Sequence, residues 1–196
     1  MNTPLFDTLN EVAGLLDERG VEWVLVGGLA ISVYVEPRFT RDIAIAISVS
    51  DDDEAERFVR EWQSAGFAVP TVVEQDAVGR LATARSHRPG DEHGVVVDLL
   101  FASSGIEPEI VDESRKVTIV PNLTVPVARP GHLFALKVLA ADEEQRPQDE
   151  ADLANLREIL DAEEERVARR AVECIVERGF ARGRNLSARL EERLAG

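Results

Sequence analysis

Residues 22–49 read EWVLVGGLAISVYVEPRFTRDIAIAISV and carry more structural information than any other part of the chain. A β-rich apolar run stops at Gly27 and Gly28, and a short helical segment follows before Pro37. The next run, residues 42–49, alternates in period two, which predicts a strand with its isoleucines on the buried face. Two strands therefore flank a glycine turn and a short helix.

The sequence on either side predicts a mixed α/β half followed by a helical half. Strand-like runs recur as far as residue 128, and helical periodicity dominates after Pro130. The expected strands are residues 22–26, 42–49, 67–73, 80–87, 94–101, 117–120 and 124–127. This order predicts an α+β fold: a small mixed sheet with flanking helices in residues 1–128, and a helical region in residues 129–196 that completes a cleft.

Composition bounds the functions that the chain can perform. Its 196 residues are 44% hydrophobic and 30% charged, as in an ordinary globular protein. Lys and Arg total 22 against 37 Asp and Glu, so the net charge of −15 argues against non-specific nucleic-acid binding. A single cysteine, Cys174, rules out an internal disulfide and fits a reducing compartment. With no apolar run of about 20 residues, we expect a cytoplasmic protein without a membrane partner.

Two aspartates stand out as candidate ligands. Asp42 opens a strand on the face opposite the isoleucines, and Asp98 interrupts the apolar run VVVDLL of residues 95–100. A carboxylate in such a strand is costly unless it is paired or metal-bound. Asp98 either faces solvent or meets an arginine such as Arg85, or it lies on a strand next to Asp42 and shares a divalent ion with it. Oxygen-only ligation suits Mg²⁺.

The helical half adds a lysine and two acids. Lys137 lies mid-helix among apolar neighbours, so it either extends to water or points into a cleft. Asp149 and Asp152 are three residues apart and share a helix face, although Asp149 also suits a helix cap. The arginines of residues 166–189 form either a local basic patch or a solvated face balanced by nearby acids.

Together these motifs resemble the nucleotidyltransferase superfamily, and within it the AbiEii-like and MenT-like bacterial toxins. The family pattern is a strand, a Gly-Gly turn, an Arg-x-Thr lead-in, an Asp-x-Asp strand, a third Asp, a helical Lys and an Arg-Pro-x-Asp-x-x-Asp-Leu segment. The matching positions are Gly27, Gly28, Arg38, Thr40, Asp42, Asp98, Lys137 and residues 146–153.

The resemblance implies the roles of these residues. Gly27 and Gly28 would cradle phosphates, and Asp42 and Asp98 would hold Mg²⁺. Arg38, Thr40, Lys137 and Asp152 would serve nucleotide binding, with Asp152 also holding Lys137 or Arg38 in place. Asp98 would act as general base.

One position departs from the family pattern. Ala44 stands where the second metal-binding aspartate belongs, on the same strand face as Asp42. Loss of one of three acids should weaken metal binding and slow catalysis. Three explanations remain open: an inactivating substitution, a natural pseudoenzyme that still binds nucleotide, or a relocated ligand such as Asp51 or Asp76.

The resemblance therefore implies a Mg²⁺-dependent toxin of a toxin–antitoxin pair that transfers NMP from an NTP to an acceptor hydroxyl. The acceptor would be tRNA or a protein, and a cognate antitoxin would be a further partner. Two alternatives remain: an antibiotic nucleotidyltransferase acting on an aminoglycoside-type substrate, and a non-catalytic nucleotide-binding or antitoxin-docking protein.

Overall fold

A seven-stranded mixed sheet flanked by eight helices makes up the part of the chain that our computed structural model describes, residues 4–36, 40–91, 94–141 and 147–195. The strands are β1 (Trp23–Val26), β2 (Asp42–Ile47), β3 (Ala68–Gln75), β4 (Arg80–His87), β5 (Val96–Leu100), β6 (Arg115–Val120) and β7 (Leu123–Val127). The helices are α1 (Pro4–Glu18), α2 (Gly27–Tyr34), α3 (Asp52–Ser64), α4 (Glu107–Asp112), α5 (Pro130–Ala140), α6 (Pro147–Ile159), α7 (Ala162–Glu177) and α8 (Leu186–Ala195).

The sheet order is β3-β4-β5-β2-β1-β7-β6, so β2 lies at its centre. β2 runs parallel to β5 and antiparallel to β1. The alternation of β2 appears in its first half: Ile43, Ile45 and Ile47 are at most 1% exposed, whereas Asp42 is exposed and Ala44 is half-buried. Further along the same face, Ala46 is buried. The side of β2 opposite the isoleucines is therefore the one available for a functional site.

The predicted fold class is confirmed, and each expected strand lies close to its predicted position. Asp51 caps α3, because its Oδ1 accepts the backbone N–H of Glu54 at 2.9 Å. The short helix α4 is not predicted by the sequence. Its six residues hold too few turns to establish a helical period.

The helical half packs onto the same hydrophobic core as the sheet. Buried side chains form one continuous cluster from Leu9 in α1 to Leu194 in α8, and α5 packs against α2, α6 and α7. The division at residue 128 coincides with the end of β7, but a boundary between two domains stays a prediction. No helix in the described part of the chain is long and apolar enough to cross a bilayer.

Candidate active site

The strand register places three of the predicted site positions side by side. Ala44 in β2 pairs with Asp98 in β5, and Asp42 lies two residues earlier on the same face. On the other side of β2, Ala44 pairs with Val26, the residue immediately before Gly27. Ala44 is thus flanked by the glycine turn and by Asp98.

The glycine turn comes very close to β2. Gly27 has a φ of +70°, and a Cβ added to it would lie 2.9 Å from the Cβ of Ala44. Both facts require glycine at this position, the first for backbone conformation and the second for space. Gly27 and Gly28 open α2, whose N-cap residue Val26 provides no side-chain hydrogen bond. The first N–H groups of α2 are donors of the kind that bind phosphate at helix N-termini.

A cavity of about 170 Å³ joins the turn, the sheet and the helical half. It is smaller than the roughly 300–1,000 Å³ of typical ligand pockets. Its lining comes from β1, α2, β2, β5 and the segment after it, α5, and the segment before α8. The lining residues are Val26, Gly27, Ile31, Ala44, Leu100, Ser103, Leu133, Leu136, Lys137, Leu139, Ala140 and Arg182. The structure therefore brings Gly27, Ala44 and Lys137 into one cleft.

Two buried carboxylates hold Lys137 in this cleft. Its Nζ lies 2.7 Å from Asp149 Oδ1 and 2.8 Å from Asp152 Oδ2. The side chains of Lys137, Asp149 and Asp152 are 14%, 9% and 1% exposed. An ammonium carries three donors, so these contacts leave one N–H for a ligand. Asp149 thus binds Lys137 from the first turn of α6, and its second oxygen is buried without a hydrogen-bond partner among the described residues.

Asp98 is engaged by Arg85, one of the partners considered from the sequence. Arg85 Nε donates to Asp98 Oδ1 and Nη2 donates to Oδ2, both at 2.8 Å. The hydrogen bond and the charge of Asp98 raise the pKa of Arg85, and the charge of Asp42 adds to this effect. Arg85, Asp98 and Asp42 therefore form one charged cluster beside Ala44.

Two acids, Asp42 and Asp98, remain as candidate ligands for a divalent ion. Asp42 and Asp98 are diagonal neighbours on one strand face, and Mg²⁺ commonly takes one or two carboxylates together with substrate phosphates. No group of three or more acid, histidine or cysteine side chains converges within the described residues. The third acid of the family pattern would belong at Ala44, whose methyl group cannot be a ligand.

Two of the remaining predicted site residues, Thr40 and Gly28, lie close to Asp42 and Gly27 in the chain. Thr40 Oγ1 accepts the backbone N–H of Asp42 at 3.3 Å and so helps to fix the start of β2. Gly28 follows Gly27 in the first turn of α2, and its carbonyl accepts the hydroxyl of Ser32. Arg38 lies outside the described residues, as does Arg146 of the helical motif.

Sequence reasoning did not place Arg182 in this cleft. Arg182 lines the cavity with a left-handed backbone φ of 55°, and its Nη2 donates to the carbonyl of Ser103 at 3.2 Å. Burial, together with the charge of Arg184, lowers its pKa. The sequence shows only that Gly179 and Gly183 flank it, which indicates a tight turn but not where the side chain lies.

Three arginines of the arginine-rich region pair with acids. Arg169 pairs with Glu191 at 2.8 Å, Arg170 approaches Glu113 at 3.5 Å, and Arg178 pairs with Glu109. These contacts support the interpretation of a solvated, charge-balanced face over that of a basic patch.

Comparison with known proteins places this geometry in context. A nucleotidyltransferase-like protein from Paracoccidioides brasiliensis is 18% identical, covering 95% of this chain and 92% of its own, with a TM-score of 0.52. The antibiotic-resistance factor ANT(2'')-Ia is 16% identical, covering 100% and 95%, with a TM-score of 0.53. MenT4, a nucleotidyltransferase toxin of Mycobacterium tuberculosis, is 16% identical, covering 97% and 82%, with a TM-score of 0.53. At these identities the likeness shows the fold.

No curated protein sequence matches the chain well enough to add to these comparisons. The decisive match is to a family model described as the nucleotidyl transferase AbiEii toxin of a type IV toxin–antitoxin system, which covers residues 15–195. Because that match spans nearly the whole chain, the protein belongs to the AbiEii nucleotidyltransferase toxin family.

Proposed function

We propose that the protein is a Mg²⁺-dependent nucleotidyltransferase toxin that transfers NMP from an NTP to an acceptor hydroxyl, with tRNA as the favoured acceptor class, and that Ala44 disables it. The observation that carries the proposal is the shared cleft, in which Gly27, Ala44 and Lys137 meet from three separate elements. Family membership supports transferase chemistry, an NTP substrate and an antitoxin partner.

Each residue has a physical role in this proposal. The N–H groups of Gly27 and Gly28 bind phosphate oxygens at the start of α2. Lys137 donates its remaining N–H to the triphosphate, and Asp149 and Asp152 keep its side chain in place. Arg182 adds a second cation to the same cavity. Arg38 and Thr40 complete the nucleotide-binding set proposed from the family pattern.

The transfer step balances as a displacement at the α-phosphorus. The acceptor oxygen forms a bond to that phosphorus, the bond to the bridging oxygen of the β-phosphate breaks, and pyrophosphate leaves. Asp98 accepts the hydroxyl proton as general base. Mg²⁺ held by Asp42 and Asp98 would neutralise charge on the phosphates. Ala44 removes the carboxylate that should stand between them, which accounts for the proposed loss of activity.

The test restores that carboxylate. The chain and its Ala44→Asp variant are incubated with Mg²⁺, each of the four labelled NTPs, and either total tRNA or cell protein. We expect label transfer by the Ala44→Asp variant alone, at least about 100-fold above the starting chain, because single catalytic groups contribute factors of this size. An Ala44→Asn variant has the same size without the charge and is the matched control.

The acceptor fraction that carries the label decides between tRNA and protein. Labelling of protein and not tRNA would contradict the tRNA assignment while keeping the transferase. Transfer to a polycationic aminoglycoside alone would favour the antibiotic-modifying alternative. NTP binding without transfer by either chain would favour a non-catalytic nucleotide-binding protein.

A further inference from the structure

The guanidinium of Arg85 lies where a counter-ion for the candidate metal ligands is expected. Arg85 in β4 is the direct cross-strand partner of Asp98 in β5. Its two hydrogen bonds, both 2.8 Å, use one N–H for each carboxylate oxygen. Such a bidentate contact is among the stronger forms of ion pair. A metal ion that binds Asp98 therefore competes with the Arg85 guanidinium for the same carboxylate.

Asp42 shares its face of the sheet with the ion pair of Arg85 and Asp98. Asp42 and Asp98 lie on the same face of two parallel strands. One guanidinium thus balances part of the charge of both acids, on either side of the methyl group of Ala44.

The two partners differ in their freedom to move. The Arg85 side chain is 52% exposed, whereas that of Asp98 is 16% exposed. Arg85 can rotate into solvent without disturbing the packing of the sheet, while Asp98 stays in place on its strand. The contact is therefore one that a competing cation can open.

We propose that Arg85 is the resident counter-ion of Asp42 and Asp98 and sets the affinity of this pair for a divalent cation, which binds Asp98 only by displacing the guanidinium. The proposal rests on the proposed function, in which the same pair holds Mg²⁺. Arg85 is a positioning residue, since it acts through Asp98. With Ala44 in place of a third acid, the balance between guanidinium and divalent ion favours the guanidinium.

The test measures cation binding in the absence of NTP. Mn²⁺ serves as the probe because its free concentration can be followed by electron paramagnetic resonance, and calorimetry gives a second reading. The variants are Arg85→Gln, which removes the charge, and Arg85→Lys, which keeps the charge but cannot form the fork. Arg80→Gln is the matched control: Arg80 also lies on β4 and pairs with another acid, Asp52, at 2.8 Å.

We expect Arg85→Gln to bind Mn²⁺ about tenfold more tightly than the starting chain, which corresponds to about 1.4 kcal/mol. Arg85→Lys should fall between them, and Arg80→Gln should bind as the starting chain does. Adding Asp98→Asn to Arg85→Gln should remove the gain, because the carboxylate is then lost. If Arg85→Gln does not fold, the Arg85→Lys comparison still decides the matter.

Unchanged or weaker Mn²⁺ binding in the folded Arg85 variants would overturn the proposal. So would an equal gain in Arg80→Gln, because the effect would then reflect net charge alone. This readout is independent of catalysis. If Ala44→Asp transfers no nucleotide, the proposed function fails, yet a tenfold gain in Arg85→Gln still supports the competition at Asp98.

Discussion

Removing the Lys137 ammonium should destabilise the protein strongly, because two buried carboxylates depend on it. Lys137→Met keeps most of the side-chain volume but deletes the charge that lies 2.7 Å from Asp149 and 2.8 Å from Asp152. Breaking a buried ion pair by removing one partner typically costs about 3–5 kcal/mol. Since Asp152 is only 1% exposed, water cannot replace the lost partner without rearrangement.

Urea unfolding followed by circular dichroism and tryptophan fluorescence measures this loss. For a denaturant slope of about 2 kcal/mol per molar urea, the midpoint should fall by about 2 M. The chain has only one other lysine, Lys116, which is exposed on β6. Lys116→Met is therefore the matched control and should change the free energy of unfolding by less than about 0.5 kcal/mol.

A rescue experiment separates charge from packing. In the Lys137→Met background, Asp149→Asn and Asp152→Asn remove the two carboxylates that the lysine had compensated. We expect this triple variant to recover at least half of the lost stability, because a neutral amide is less costly to bury than an unpaired charge. A Lys137→Met midpoint within about 0.3 M of the starting chain would contradict this prediction, since the ammonium would then contribute no net stabilisation to the two acids.

Three further predictions test the glycine turn, the second cation of the cleft and a buried histidine. Gly27→Ala should lower the free energy of unfolding in urea by at least about 3 kcal/mol, because it adds a 2.9 Å contact with Ala44 to a backbone penalty of about 1–2 kcal/mol. Gly79 has a similar φ with open space around it, so Gly79→Ala should lower the free energy of unfolding by the backbone penalty alone. Arg182→Ala should weaken binding of a fluorescent NTP about tenfold. Arg60→Ala, on the exposed face of α3, should leave NTP binding unchanged. Equal effects of the two variants would show that Arg182 does not contribute to NTP binding in the cleft. Burial lowers the pKa of His132 from 6.5 to about 4. The unfolded chain therefore binds this proton at a higher pH than the folded chain, so the stabilisation is complete above pH 6.5 and falls by about 3 kcal/mol as the pH drops to 4. His132→Gln should flatten the urea midpoints over this range, and an equally steep pH dependence in that variant would contradict the assignment to His132.

The sheet and its order of elements could be predicted because their signals are local. The period-two pattern of β2 and the glycine break after β1 depend on residues within one segment, and both appear in the structure where the sequence indicates. Lys137 was also accessible to this reasoning, since a charge among apolar helical neighbours requires a partner or water. Its two partners, Asp149 and Asp152, share a helix face by spacing alone.

The parts that could not be predicted depend on contacts between distant segments. The sequence left Asp98 with either an arginine or a shared ion, and only the β4–β5 register brings Arg85 opposite it. Arg182 lines the cleft because the chain turns through a left-handed backbone conformation after α7, and no periodic pattern in the sequence predicts the direction of that turn. Long-range register and turn conformation are set by the whole fold, so residue spacing cannot supply them.

The surroundings of Ala44 offer room and charge for the carboxylate that our proposal would restore there. Gly27 keeps the close approach to β2, Asp98 remains directly opposite, and Lys137 retains both of its acids. A side chain at position 44 opens into the cavity that Lys137 lines, so an aspartate there would find both space and a cation nearby. This space beside a cation is the physical argument for testing Ala44→Asp first.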